Sequence, residues 1–318
     1  MAYKSAIEWT DATWNPFHGC HKISAGCKYC YMFRDKARYG QDPNTVVRSG
    51  DKTFYAPLKW KEPRLIFTCS WSDFFIEESD AWRDEAFAIM ALTPQHTYQV
   101  LTKRPERMLE YLRGPQTPRN IYAEVHYGDG PMENRSHELF ERIQQWPLPN
   151  VWLGVSVEDR KTADERIPKL LQTPAAVRWL SLEPLLGPVD LRNVNPASGQ
   201  WQDVVTGLRG GDHSLADCPS VDWVVVGGES GPDARPMHPD WVRSIRDQCQ
   251  AAKVPFFFKQ WGEWAPSSQT RDFTKDFNLF EDGSLMYKIG KKKAGRLLDG
   301  RKWNEFPTIK ENIDAARA

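Results

Sequence analysis

Short apolar runs alternate along this chain with longer segments whose apolar positions recur at helical spacing. That alternation is the pattern of repeated strand-helix units around a parallel sheet. In order, the runs predict strands at Ile7–Trp9, Arg64–Thr68, Thr97–Thr102, Val151–Ser156, Val177–Leu182, Trp223–Val226 and Pro255–Phe258. Helices are predicted at Met32–Tyr39 and about Asp80–Leu92, Glu106–Leu112, Lys161–Leu171 and Pro239–Ala252. Six or seven such units predict an α/β fold, a partial or near-complete (β/α)6-7 TIM-like barrel over residues 1–264.

Two stretches break the repeat, about 114–135 and 192–219, both carrying Gly, Pro, Ser and Asn with weak periodicity. They are expected to be surface insertions. The second holds Arg209-Gly210-Gly211-Asp212-His213, either a substrate-approaching segment or an idle excursion. After Trp264 the strand-helix pattern stops, and residues 265–318 are expected to form a small C-terminal extension with a hairpin near Glu281-Asp282-Gly283-Ser284. A basic run follows, comprising Lys288, Lys291, Lys292, Lys293, Arg296, Arg301 and Lys302. It is either a solvated surface or a contact for nucleic-acid phosphates.

The polar residues fall at the ends of the predicted strands. Ser70, Ser72 and Asp73 follow the second, Lys103 and Arg104 the third, and Ser156, Glu158 and Asp159 the fourth. Ser181 and Glu183 close the fifth, Gly228, Glu229 and Ser230 the sixth, and Lys259 and Gln260 the seventh. In β/α barrels the C-terminal strand ends form the active face, so these positions are candidate ligand contacts. Asp73 and Asp159 equally suit helix capping.

Composition narrows the class. The 318 residues carry 42 basic and 42 acidic side chains, so no bulk field draws the chain to nucleic acid, and any such contact is local. The first residues carry no apolar signal region, and no run approaches the roughly 18 apolar residues of a membrane span. A cytoplasmic protein without a membrane partner is expected. The 14 tryptophans read mainly as core and pocket lining.

Three of the six cysteines, Cys20, Cys27 and Cys30, lie within eleven residues, whereas Cys69, Cys218 and Cys249 are scattered. A closed structural zinc site wants four ligands, and His18 or His21 could complete one. Iron-sulfur clusters also favour closely spaced thiolates, and a cubane held by three keeps one iron open for a ligand.

Further stretches extend the pattern: Trp14-Asn15-Pro16, Cys27-Lys28-Tyr29-Cys30, Gly154-Val155-Ser156-Val157-Glu158-Asp159, Leu180-Ser181-Leu182-Glu183-Pro184-Leu185-Leu186-Gly187-Pro188, Gly227-Gly228-Glu229-Ser230-Gly231 and Phe258-Lys259-Gln260-Trp261-Gly262. Together they resemble the phage Gp37/Gp68 family (DUF5131), a radical S-adenosylmethionine (SAM)-like group of phages, prophages and bacteria. The superfamily usually spaces its first two cysteines by three residues, and this chain by six. The resemblance implies a radical-SAM barrel with a 4Fe-4S cluster on Cys20, Cys27 and Cys30, SAM at the open iron, and a flavodoxin- or ferredoxin-type electron donor. It implies SAM contacts among Ser70, Ser72, Asp73, Lys103, Ser156, Glu158, Ser181, Glu183, Gly228, Glu229, Lys259 and Gln260. Gly227-Gly228-Glu229 resembles the superfamily's Gly-Gly-Glu element, although that element usually follows the second strand and here follows the sixth. The expected activity is rearrangement of a modified thymine or its appended amino acid in phage DNA, with DNA or a modified nucleotide as substrate. Two alternatives stay open: a DNA-lesion lyase similar to spore photoproduct lyase, and a non-catalytic zinc-stapled nucleic-acid-binding protein.

Overall fold

The computed structural model describes residues 4–195, 200–211 and 214–308, with residues 214 and 215 as backbone only. Seven apolar runs form one parallel sheet: β1 (Ala12–Trp14), β2 (Leu65–Thr68), β3 (Thr97–Thr102), β4 (Val151–Ser156), β5 (Val177–Leu182), β6 (Trp223–Gly227) and β7 (Phe256–Gln260). The strands lie side by side in chain order, and β1 and β7 remain the sheet's two ends. The sheet is therefore an open barrel.

Its curl follows from one side chain. In a flat sheet β2 and β6 would stand about 19 Å apart, four strand spacings. Yet the Trp9 ring lies 4.8 Å from Phe67 of β2 and 6.0 Å from Trp223 of β6. Only a strongly curled sheet brings both walls to one indole.

Both faces of the sheet are buried, as crossover helices require of parallel strands. On β4, Val151, Leu153 and Val155 point outward to the main core, while Trp152 joins Trp9, Phe67, Trp179, Trp223 and Phe257 in a second core on the concave face. Gly154 lies between, because a Cβ there would stand 2.5 Å from the Trp179 indole. Among the described residues, seven helices of eight residues or more accompany the strands: α1 (Tyr31–Arg38), α2 (Asp80–Ala91), α3 (Pro105–Arg113), α4 (Thr117–His126), α5 (Ser136–Ile143), α6 (Arg160–Gln172) and α7 (Pro239–Ala252). Asp159 caps α6 by accepting from the Thr162 amide at 2.9 Å, and Thr162 answers with its own hydroxyl.

Three expectations change. Ile7, Glu8 and Trp9 do not form the first strand, which is Ala12–Trp14. Trp9 turns inside the concave face with Ile7 partly buried against that core, and Gln99 Nε2 donates to the Trp9 carbonyl at 3.2 Å. An incompletely closed barrel leaves apolar wall exposed, and a tryptophan plug covers more of it than an edge strand would. Residues 114–135 are not an irregular insertion, since α4 buries Ile121 and Val125, one helical turn apart, and Met132 follows them inside. Residues 192–219 include a three-stranded antiparallel sheet of Trp201–Asp203, Leu208–Gly211 and Ser214–Asp217. It stands where a crossover helix would otherwise join β5 to β6. Asp212 and His213 lie outside the described residues.

Beyond residue 264 the expected hairpin is present, pairing Phe277–Leu279 with Leu285–Lys288, which also pairs with Trp264–Pro266. The chain then runs along β7: the Phe258 amide donates to Trp303 O at 3.0 Å and the Glu305 amide to Phe256 O at 3.2 Å. This covers an edge that would otherwise offer unpaired backbone groups. Phe306 stacks on Trp223 at 5.3 Å and closes the bottom of the concave core.

Candidate functional site

A cavity of about 770 Å³ opens where the strands end, with Trp9 and Phe67 among its lining. Its size falls in the range of small-molecule sites, roughly 300–1,000 Å³. The segment after β2 contributes Ser70, Ser72 and Asp73, and that after β3 contributes Lys103 and Arg104. Ser156 comes from β4, Ser181 from β5 and Glu183 from just beyond it, Gly228, Glu229 and Ser230 from beyond β6, and Lys259 and Gln260 from β7. Cys20, Cys27 and Cys30 line the same space. Of the predicted contacts, Glu158 alone does not reach it; it is fully buried beneath.

The charged residues at the rim are paired. Asp73 accepts from Thr102 Oγ1 at 2.6 Å, the Lys103 amide at 2.7 Å and the Phe75 amide at 3.0 Å, and it pairs with Arg104 at 3.1 Å. Glu158 Oε1 takes Lys103 Nζ at 2.5 Å and Ser24 Oγ at 2.8 Å, with Arg166 3.3 Å away. Burial pushes the Glu158 carboxyl upward, but Lys103 and Arg166 outweigh it and hold it below the usual carboxylate range. Glu229 receives a two-pronged contact from Arg235, 2.6 Å to Oε1 and 2.8 Å to Oε2. Glu183 and Lys259 meet at 3.0 Å.

Thus Asp73, Glu158 and Glu229 already have cationic partners, a commitment the sequence does not display. Gln260 Nε2 donates to Ser230 Oγ at 3.0 Å while its Oε1 is buried without a partner. Ser72 Oγ donates to Gly19 O at 2.6 Å, and Ser70 bonds Asn15 at 3.1 Å. Asn15 Oδ1 also accepts from the Trp71 amide at 2.9 Å, tying the β1 and β2 ends together.

The cysteine loop runs from the end of β1 into α1, with a 3-10 turn at Ala25–Cys27. Burial pushes the Cys20 thiol up to about 12, with the nearby Asp73 adding to the shift, and burial raises Cys30 also. Neutral thiols are what a desolvated wall favours in the absence of a cation. The three sulfurs are not all within 4.8 Å of one another, and neither His18 nor His21 completes such a set. A single tetrahedral ion gathers its ligands closely, whereas in a cluster each thiolate binds a different iron. His21 instead pairs with Glu78 at 2.5 Å.

A fourth thiol was not anticipated here. Cys69 lines the cavity, is buried, and has φ of 61° at the end of β2, where a non-glycine residue is uncommon. Only its position just after an apolar run could have hinted at this. Arg235, in the Gly- and Pro-containing loop before α7, carries no sequence signal at all. His238, Asp240 and Asp282 also gather within 4.8 Å, away from the cavity. There His238 Nδ1 accepts from the Asp240 amide at 3.1 Å, leaving Nε2–H to donate to Asp282 at 3.1 Å. Both ring nitrogens are used in holding the hairpin to α7.

The basic run is divided. Lys288 donates to Pro232 O, Lys293 pairs with Asp272 at 3.1 Å, and Arg301 lies 3.9 Å over the Trp303 ring. Arg296 donates to Phe258 O and Asn304. Lys291 alone of the run lines the cavity. No helix among the described residues is long and apolar enough to cross a membrane.

A model of the family described as "Protein of unknown function (DUF5131)" matches residues 4–307. No curated protein and no solved structure matches the chain.

Proposed function

The chain belongs to the DUF5131 family, and from that premise we propose that it is a radical SAM enzyme acting on a modified thymine or its appended amino acid in DNA. One observation carries the reading: three thiols from one loop line the same strand-end cavity as four carboxylate-cation pairs or their members. Cys20, Cys27 and Cys30 would hold a 4Fe-4S cluster. When bound, cluster and SAM together supply a 5'-deoxyadenosyl radical that removes hydrogen from an unactivated carbon.

The chain's own residues provide orientation and shielding. Glu183 suits the SAM amino group and Lys259 its carboxylate, since charge-assisted hydrogen bonds are stronger than neutral ones. The Ser156 and Ser181 side chains belong to the paired positions Ser156 and Ser181 of β4 and β5 and offer adjacent hydroxyls. Trp9 and Phe67 form an apolar floor that keeps water from the reacting centre. A base would leave its stack to reach a cavity at the strand ends, and Lys291 at the cavity suits the phosphate beside it.

The test is anaerobic reconstitution with iron and sulfide, followed by SAM and dithionite. About four irons per chain and release of 5'-deoxyadenosine support the cofactor reading. Stoichiometric zinc with no nucleoside product overturns it in favour of a zinc-stapled binding protein. Nucleoside mass spectrometry of DNA treated with the active protein then separates a rearranged thymine derivative from a repaired lesion.

A further inference from the structure

The spacer between Cys20 and Cys27 is anchored at three separate strand ends. Arg104, held by Asp73 at 3.1 Å, donates Nη2 to His21 O at 3.3 Å. Ser24 Oγ donates at 2.8 Å to Glu158 Oε1, the oxygen that also takes Lys103. Arg235, held by both oxygens of Glu229, donates Nη2 to Ala25 O at 3.0 Å, and its guanidinium lies 5.2 Å over the Tyr29 ring. The anchors come from beyond β3, β4 and β6, and each is an ion pair whose charge is already satisfied before it meets the loop.

The local sequence accommodates this approach. A Cβ on Gly26 would stand 2.6 Å from Glu158 Cγ, so the loop can lie against that carboxylate only with glycine there. The accepting groups are the backbone carbonyl of His21, outside regular structure, and that of Ala25, which opens the 3-10 turn and also accepts from the Lys28 amide at 3.2 Å. Arginine fits the third anchor because its fork can bind a carboxylate with two nitrogens and still offer a hydrogen to a carbonyl.

We propose that the spacer is a docking segment and that Glu229-Arg235, with Glu158, position the cysteine loop rather than bind SAM, so the three thiols are set in place before metal arrives. The reading of Cys20, Cys27 and Cys30 as cluster ligands supplies the purpose of the clamp, but the clamp itself is a property of the metal-free chain. A preformed loop spares the metal site the ordering that a loose one would require. It also accounts for a first cysteine gap of six residues: His21, Ser24 and Ala25 are contact positions, and a three-residue gap has no room for them.

The experiment is amide hydrogen exchange of residues 21–30 in metal-free protein, comparing wild type with Arg235→Met, Arg235→Lys and Ser24→Ala. Wild type is expected to be protected, Arg235→Met to exchange at least tenfold faster, and Arg235→Lys to recover part of the difference through the retained charge. Peptides from β4 should be unchanged in every variant, which separates loop release from unfolding. Equal loop exchange in wild type, Arg235→Met and Ser24→Ala overturns the clamp, as does an unprotected wild-type loop. Reconstituted iron content and the electron paramagnetic resonance spectrum are read in parallel. Wild type that takes up no iron removes the cluster reading and leaves the exchange result to decide the clamp. Iron-loaded wild type with unaltered loop protection in Arg235→Met and Ser24→Ala removes the clamp alone.

Discussion

Lys259 Nζ lies 3.0 Å from Glu183 Oε1, and among the described residues this pair makes no hydrogen bond to the cysteine loop. It differs in this from the pairs at Asp73, Glu158 and Glu229, each of which reaches the spacer. Glu183-Lys259 is therefore the rim pair best placed to exchange an internal partner for a bound zwitterion. Glu183→Gln and Lys259→Met are expected to weaken SAM binding by about ten- to a hundredfold, the equivalent of a charged hydrogen bond worth roughly 1.5–3 kcal/mol. Loop protection should be unchanged. Equilibrium dialysis with labelled SAM checks the first point, and wild-type affinity in both variants would remove the pair from the ligand site.

The cysteines divide into two groups by position. Alanine at Cys20, Cys27 or Cys30 should abolish cluster uptake, while alanine at Cys218, outside the cavity lining, or at Cys249, buried in α7, should leave it intact. Cys69→Ala discriminates further. Lining the cavity, it should keep about four irons per chain under a three-thiolate scheme, and its loss of iron would place a fourth thiolate on the metal. Iron and sulfide assays of the anaerobic proteins decide both points.

Gly154→Ala introduces a methyl 2.5 Å from the Trp179 indole, where both the concave core and the backbone are packed. Overpacking of this kind costs about 1–3 kcal/mol. Urea denaturation should show a lower midpoint with an unchanged slope. An unchanged midpoint would mean that Trp179 yields freely, contrary to its burial.

Two histidines give stability a pH dependence. His96 is fully buried, with Nε2 3.1 Å from Trp60 O and Nδ1 without a partner, and His18 Nδ1 is likewise buried and unpaired. Burial lowers both below the ordinary 6.5, with nearby Lys36 adding to the effect at His18. Between their folded values and 6.5 the unfolded chain binds more protons, so stability rises with pH in that window. The contribution is full above about 6.5 and is lost as pH falls through the lowered folded values. Denaturation measured from pH 7.5 to 5 should show the decline, and His96→Gln should flatten it. An identical slope in that variant would exclude His96 as a source.

Much of the scaffold was legible because parallel strands buried on both faces are continuous apolar runs. β3, β4 and β5 begin and end at the residues the pattern marks, and α7 does the same. The candidate site was legible as a set of positions, since a parallel arrangement brings every strand end to one side. Trp9 was not legible as a plug, because Ile7-Glu8-Trp9 has the same apolar-polar-apolar pattern whether it pairs as a strand or turns inward. Helix α4 was obscured by the Pro, Gly and Asn around it, although Ile121 and Val125 already had helical spacing.

The sequence by itself determined six of the seven parallel strands, the side on which the polar residues collect, and the clustering of three cysteines in one loop. Those are local matters, set by the period of apolar residues and by spacing along the chain. Only the tertiary structure decided which carboxylates are committed and which face the cavity. Glu158 meets Lys103 across 55 residues, and Glu183 meets Lys259 across 76. An ion pair forms between whichever opposite charges the fold brings within a few ångströms, and nothing in the pattern around either partner records that distance.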